Sequence, residues 1–471
     1  MASTQTSRTR GAVSRPRDWP KRLACWSKRP WAVRLITAGA WAAALALICD
    51  LAFRALTVRS HRHRLADLHV YRNGGLAILH GTHLYSMVTN GKLLFTYPPV
   101  SAILGVPLTW VSWRTAQIAW MTMIYLPLGI VIWLAFRPLL ARAGRYAPAV
   151  LAALLAGCAL LTPMRQEVGY GQIDIFLVAL CTVDCTARRT WWPRGALIGL
   201  ATAVKLVPGV FIIYLLITGR RKAAGVAALS FAAWTGLAWL VAPADSAAYW
   251  TSAVFNAHRL GPNAISGNQS LRGVLLRAFF PAPPPTAVWI ALVLVVAAAG
   301  FAAARRAWQR GFQVGGVAIT GLLAALLSPV AWIHHYCWII VAIGAIAGDC
   351  RRGRRVITAI TVGSLFMSVL PTYGGYLYFS RILPGLPAMV LTDSFALAAL
   401  ALIWIIWKIA VTDTDRQLLS AVSGLTGQPR PTAMFGSRVG GMTHWVSADH
   451  RSSRGGTAMS TSTRGHTLTR D

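Results

Sequence analysis

Apolar residues in this 471-residue chain come in long blocks separated by short polar or basic segments. The blocks lie near 31–53, 98–112, 115–136, 147–163, 171–187, 195–218, 223–242, 286–304, 312–329, 336–349, 356–371 and 386–411. Most are about 15 to 25 residues long and carry few charges, the length a helix needs to cross roughly 30 Å of hydrocarbon. The pattern predicts an all-α, polytopic transmembrane helical bundle of about 11–13 spans. The first block has no small-residue cleavage site after it and reads as a retained span.

Composition agrees. Apolar residues make up 55% of the chain and charged residues 13%, with a mean hydropathy of +0.52. No single soluble core would hide that much apolar surface. The net charge of +33 suggests a polyanionic partner until its placement is considered. Lys and Arg cluster in the tails and in Arg137–Arg145, Arg188–Arg194, Arg220–Lys222, Arg305–Arg310 and Arg351–Arg355, between apolar blocks. That is the positive-inside signature of a membrane protein and argues against nucleic acid as a partner. Nine basic residues from Arg8 to Arg34 place the N-terminus in the cytoplasm. The seven cysteines show no zinc spacing and imply no disulfide framework.

All the basic loops are cytoplasmic at once on two conditions. The Pro-rich 98–112 block is only partly inserted, or enters and leaves on the outer side. The 195–218 block is a hairpin of two short helices broken near Lys205–Pro208, where proline removes a donor and disfavours helix just before it. Irregular backbone at membrane depth lines a cavity or is buried in protein, so this break is a candidate cavity wall. The outer face then carries 54–97, 164–171, 243–285 and 328–335. Residues 1–30 and 412–471 read as disordered cytoplasmic tails flanking a membrane domain of 31–411.

Acids are few: twelve Asp and the single Glu167. Asp184 ends a block beside Arg188 and Arg189, which suggests a salt bridge at the cytoplasmic end. Asp50, Asp67, Glu167, Asp174, Asp245 and Asp393 fall on or near the outer face. Asp67 follows the first span in a polar, aromatic stretch that includes Tyr71 and Tyr97. A carboxylate there can take a proton from a bound hydroxyl, and the aromatic rings can stack on sugar faces. An interfacial loop acid among interfacial aromatics fits the local sequence equally well.

Other outer segments gather polar groups: Gln172 with Asp174, Asn268 with Gln269 and Arg272, and His334 with His335 at a block end. Lys205 is a lone cation among apolar residues, and intramembrane cations are costly and usually functional. Arg, Lys and His donors converging on one point suit a phosphate leaving group. No P-loop, dinucleotide-binding glycine loop or metal cluster appears, so neither a cofactor nor a metal is expected.

The succession Asp67-x-x-x-Tyr71, Gly81-x-x-Leu84-Tyr85, Phe95-Thr96-Tyr97-Pro98-Pro99, Gly171-Gln172-Ile173-Asp174, Lys205-Leu206-x-Pro208, Asn268-Gln269-Ser270-x-x-Gly273 and Ser328-Pro329-x-x-Trp332-x-His334-His335 resembles a known family. It is similar to the polyprenol-phosphate-mannose-dependent α-1,2-mannosyltransferases of actinobacterial envelopes, glycosyltransferase family 87 with a GT-C fold. The resemblance implies transfer of mannose from a polyprenyl-phosphate sugar, with inversion, to a hydroxyl of a glycolipid or lipoglycan, at the outer face of the plasma membrane. It implies Asp67 as the general base, and Lys205, His334 and His335, with Arg272 beside them, at the donor phosphate. Tyr71, Tyr97, Gln172, Asn268 and Gln269 would line the substrate pocket. Asp174 departs from the Asn that family members often carry. The alternatives are an arabinofuranosyltransferase with a decaprenyl-phosphate donor, a lipid-linked sugar flippase or transporter, and a non-catalytic scaffold of an envelope assembly.

Overall fold

The computed structural model describes residues 29–57, 64–90, 93–383 and 385–426, with side chains as far as residue 412 in the last helix. By its internal contacts the chain divides into a unit of residues 1–418 and one of 419–471. Of the tails expected at 1–30 and 412–471, residues 1–28 and 427–471 lie outside the described residues. The last helix, Ser394–Thr426, continues past the domain boundary expected at 411.

Six helices among the described residues are long and apolar enough to cross a membrane: Pro30–Thr57, Trp113–Ala135, Arg137–Ala159, Arg221–Val241, Thr286–Gln309 and Ser394–Thr412. Two bent pairs raise the number to eight, Thr162–Tyr170 with Asp174–Thr186 at 119° and Gly353–Met367 with Leu370–Phe379 at 51°. The protein is thus an all-α, multi-pass membrane protein. The larger number of spans read from the sequence included blocks that fold as shorter apolar helices, among them Pro99–Thr109, Val207–Ile217, Gln313–Leu327 and Ile333–Ala347. A 15-residue helix rises only about 22 Å, short of the hydrocarbon thickness.

Burial separates the helices into an outer and an inner set. Pro30–Thr57, Arg221–Val241 and Thr286–Gln309 turn Leu35, Phe53, Leu240 and Leu294 outward, a surface that suits lipid and not water. By contrast, Gln313–Leu327 is enclosed from Gly315 to Leu326, and Ile339–Ala347 is enclosed along nearly its whole length.

Three local features place the polar residues. Helix Ala66–His80 crosses the short helix Pro99–Gly105 so closely that a methyl on Gly105 would meet the Tyr71 carbonyl oxygen at 2.4 Å. Only glycine permits that approach, which draws the Phe95–Pro99 segment onto the Asp67 helix. Gly171, at φ +70°, makes the sharp turn between Thr162–Tyr170 and Asp174–Thr186 and leaves Gln172 beside that helix. The break read at Lys205–Pro208 is present: Lys205 is extended (φ −151°, ψ 125°) between Ala196–Val204 and the 3-10 turn Val207–Gly209.

Asp184 anchors the far end of that broken segment, though not by the expected pairing with Arg188 and Arg189. Its Oδ2 accepts the backbone N–H groups of Gly195, Leu197 and Ile198 at 2.9–3.1 Å, and its Oδ1 accepts Trp192 Nε1–H. Orphan donors at a helix start are fixed in place and outcompete mobile arginine side chains.

Candidate functional site

Asp67 occupies the first turn of Ala66–His80, behind Leu65 in the left-handed region (φ 46°), whose N–H donates to the Gly169 carbonyl. This bond ties the start of the Asp67 helix to the turn that carries Gln172. Gln172 is buried, its backbone N–H donates to the Glu167 carbonyl, and its side-chain amide donates to the Asp67 carboxylate. The Tyr71 hydroxyl donates to Gln172 Oε1 at 3.0 Å and the Tyr97 hydroxyl approaches it at 3.4 Å. Burial holds both phenols far above their ordinary pKa, so they remain donors.

Burial also pushes the Asp67 carboxyl up to about 7, helped by the charge of Asp174 and opposed by Lys205 and the Gln172 hydrogen bond. An acid poised there ionises near neutrality yet binds a proton well, which suits a general base. Asp67 is partly buried in this network and is not an exposed loop acid.

A second cluster forms where the Lys205 break meets the 3-10 helix Ile333–Trp338 and the start of Asp174–Thr186. Lys205 Nζ donates to Asp174 Oδ1 at 2.8 Å and Oδ2 at 3.0 Å, and lies 2.9 Å from His335 Nε2. His334 Nε2 and His335 Nε2 stand 3.9 and 4.0 Å from Asp174 Oδ2. Asp174, Lys205 and His335 line one small cavity with Pro208 and Trp338. Tyr71 and Tyr97 line a neighbouring apolar one with Trp120 and Val204. Lys205 also sits 5.7 Å over the Tyr97 ring, so a residue lining one cavity packs against a residue lining the other.

The ligand atoms of Asp174, His334 and His335 lie within 4.8 Å of one another, and this donor set is of a kind that divalent cations take. The Lys205 ammonium already stands among them, and its charge opposes a second cation.

Asp67, Gln172, Tyr71, Tyr97, Lys205, His334 and His335 are brought into these two linked groups, and Asp174 joins them. Tyr71 and Tyr97 are both buried, packed edge-to-face at 5.2 Å, with Tyr71 also against Trp120. Asn268 and Gln269 are fully buried, hydrogen-bonded to the protein itself, and outside the linings of these two cavities. Asn268 Oδ1 accepts from Ala331 N–H, and its amide donates to the Asn263 carbonyl. The Gln269 amide donates to the carbonyls of Ser266 and Thr392 and accepts from the N–H groups of Phe395 and Ala396. Gln269 backbone N–H donates to the Ala331 carbonyl, and Tyr336 donates to the Gln269 carbonyl, so this segment braces the turn carrying His334 and His335.

Arg272 stands apart from both groups. Its guanidinium lies 5.1 Å over the Trp289 ring, on the outer helix Thr286–Gln309, and not among the phosphate-binding candidates. The buried arginine of its helix is Arg277, paired with Asp393 and donating to the carbonyls of Ile265 and Asn268 at 2.8 Å. Glu167 is fully buried too: Oε1 accepts Ile175 N–H at 2.8 Å, while Oε2 has no partner among the described residues.

Comparison with known proteins bears directly on this arrangement. The profile of glycosyltransferase family 87 matches residues 95–329, which include Tyr97, Gln172, Asp174 and Lys205. Asp67 precedes the matched stretch and the two histidines follow it. A polyprenol-phosphate-mannose-dependent α-(1-2)-phosphatidylinositol mannoside mannosyltransferase of Mycobacterium tuberculosis is 34% identical over 66% of this chain and 76% of its own length. Its namesake in Mycolicibacterium smegmatis is 34% identical over 64% and 74%. A phosphatidylinositol pentamannoside mannosyltransferase of the latter organism is 33% identical over 58% and 67%. No solved structure matches.

Proposed function

Because this chain belongs to glycosyltransferase family 87, we propose that it transfers mannose from polyprenyl-phosphate-mannose to a hydroxyl of a phosphatidylinositol mannoside or related lipoglycan, forming an α-1,2 linkage. The names of its relatives supply the donor and acceptor classes. The observation that carries the chemistry is the separation of roles within one site. A carboxylate with a proton affinity near neutrality lies beside a group of buried Lys and His donors, and the two are joined through Gln172, Tyr97 and Lys205.

In the proposed reaction the acceptor hydroxyl oxygen attacks the anomeric carbon while the bond from that carbon to the phosphate oxygen breaks. Asp67 takes the hydroxyl proton, and the electron pair leaves with the polyprenyl phosphate. One in-line displacement inverts the configuration, as a β-linked donor and an α product require. The cluster of Lys205, His334 and His335 stabilises the charge that develops on the phosphate, in an enclosed site where hydrogen bonds act strongly. The site faces the extracytoplasmic side of the plasma membrane and both tails are cytoplasmic, a reading that rests on the distribution of Lys and Arg.

Membranes containing the protein, supplied with labelled polyprenyl-phosphate-mannose and phosphatidylinositol mannosides, should yield an α-1,2-linked product. A product formed only from a decaprenyl-phosphate arabinofuranose donor would replace the sugar in this reading. Transbilayer movement of the donor without any glycosidic product would replace the reaction.

A further inference from the structure

Hydrogen-bond accounting at Lys205 assigns it a role different from direct phosphate binding. An ammonium carries three donors and no acceptor. Two of the three are directed to Asp174 Oδ1 and Oδ2, and the third to His335 Nε2, so none is left over. The charge is matched by Asp174 at 2.8 Å.

The same count fixes the tautomer of His335. Because Lys205 can only donate, His335 Nε2 must be the acceptor, and the proton of the neutral ring then sits on Nδ1. His335 Nδ1 is buried and has no hydrogen-bond partner among the described residues, nor has either ring nitrogen of the buried His334. A buried donor left unpaired is destabilising, so the site is incomplete without an acceptor brought from outside the chain. Phosphate oxygens are such acceptors.

We propose that Lys205 is a positioning residue that does not touch the donor phosphate but holds His335 as the Nδ1–H tautomer, whose N–H, together with His334, binds that phosphate. The proposal rests on the polyprenyl-phosphate donor assigned above. Asp174 belongs to the same device: it occupies two ammonium donors and balances the charge, leaving the third donor to set the imidazole.

The experiment replaces the ion pair by two neutral pairs that differ in one hydrogen-bond donor. In Lys205→Gln with Asp174→Asn, the glutamine amide can still donate to His335 Nε2. In Lys205→Met with Asp174→Asn, nothing at that position can. Neither leaves a lone buried charge, which is what makes single substitutions in such pairs prone to unfold. Binding of polyprenyl phosphate to the purified full-length protein in detergent is the readout. The Gln/Asn protein should bind within about threefold of wild type, and the Met/Asn protein about tenfold or more weaker, as should His335→Ala.

A second measurement needs no substitution at the ion pair. In protein labelled with 15N-histidine, the resonances missing from His335→Gln identify His335. They should show a neutral ring protonated at Nδ1, with the Nδ1 signal shifting when polyprenyl phosphate is added. Equal loss of binding in both double variants means that the ammonium grips the phosphate itself and overturns the proposal, as does full binding in both. A ring protonated at Nε2, or an imidazolium, overturns it as well. Failure of the wild-type protein to bind polyprenyl phosphate removes the donor reading itself, a result none of the other outcomes mimics.

Discussion

Gln172 donates to Asp67 through an amide whose orientation its neighbours fix: Tyr71 donates to Gln172 Oε1 at 3.0 Å, so Nε2 is the end turned to the carboxylate. The hydrogen bond favours the charged form of Asp67 and opposes the burial that pushes its pKa up to about 7. A base must be deprotonated to work, so transfer should be level above pH about 7 and fall roughly tenfold per unit below it. Gln172→Leu removes the bond that lowers the pKa and should move this acid limb to higher pH, leaving part of the activity recoverable under alkaline conditions. Lys205, Asp174, Glu167 and the two tyrosines are the other titratable groups that act on Asp67, and all remain in that variant. A limb that does not move in a pH–rate profile of Gln172→Leu would sever Gln172 from the base.

The two arginines of helix Leu271–Ala278 should behave in opposite ways. Arg277→Met leaves Asp393 buried without its partner, and removing one member of a buried pair costs about 3–5 kcal/mol. Thermal unfolding in detergent should show a large loss for this variant. Arg272→Ala removes only a cation–π contact with Trp289, worth about 1 kcal/mol, and should leave transfer close to wild type. A severe kinetic defect in Arg272→Ala, with normal stability, would return Arg272 to the donor site.

Orientation in the membrane follows from the basic loops and can be checked by labelling. In a cysteine-free background, Phe255→Cys lies at an exposed position of the segment read as external, and Gly353→Cys at an exposed position of a basic segment read as cytoplasmic. A membrane-impermeant thiol reagent added to intact cells should modify the first and spare the second. The reverse pattern would put the site on the cytoplasmic side.

What the sequence made legible depended on whether a residue's partner lay nearby. The Lys205 break could be read because Pro208 enforces it locally, and Asp67 stood out because so few acids follow a span. The pairing of Asp174 with Lys205 joins residues 31 apart across two turns, and no local pattern reports it. Arg272 and Arg277 are five residues apart on one helix, about 140° around its axis, so composition alone could not tell the buried one from the half-buried one. Asn268 and Gln269 suggested a pocket because amides in an outer loop suit sugars as well as they suit backbone. Only the approach of residues 329–332 and 392–396 shows that the chain uses these amides itself. Asp184 looked like an arginine partner for the same reason: three backbone donors arriving from 195–198 are invisible in a linear reading.

The central claim is that Asp67 takes the proton from the acceptor hydroxyl, and Asp67→Asn tests it most directly. Asparagine keeps the shape and can hydrogen-bond to a Gln172 amide, but it cannot accept that proton. Turnover of polyprenyl-phosphate-mannose with a phosphatidylinositol mannoside acceptor should fall about 10²- to 10⁴-fold, with insertion, thermal stability and donor-lipid binding unchanged. Asp245→Asn should fall far less, because its carboxylate accepts the Leu84 N–H and serves the fold. Wild-type turnover in Asp67→Asn would contradict the account and pass the role of base to another acid of the site, with Asp174 the next to test.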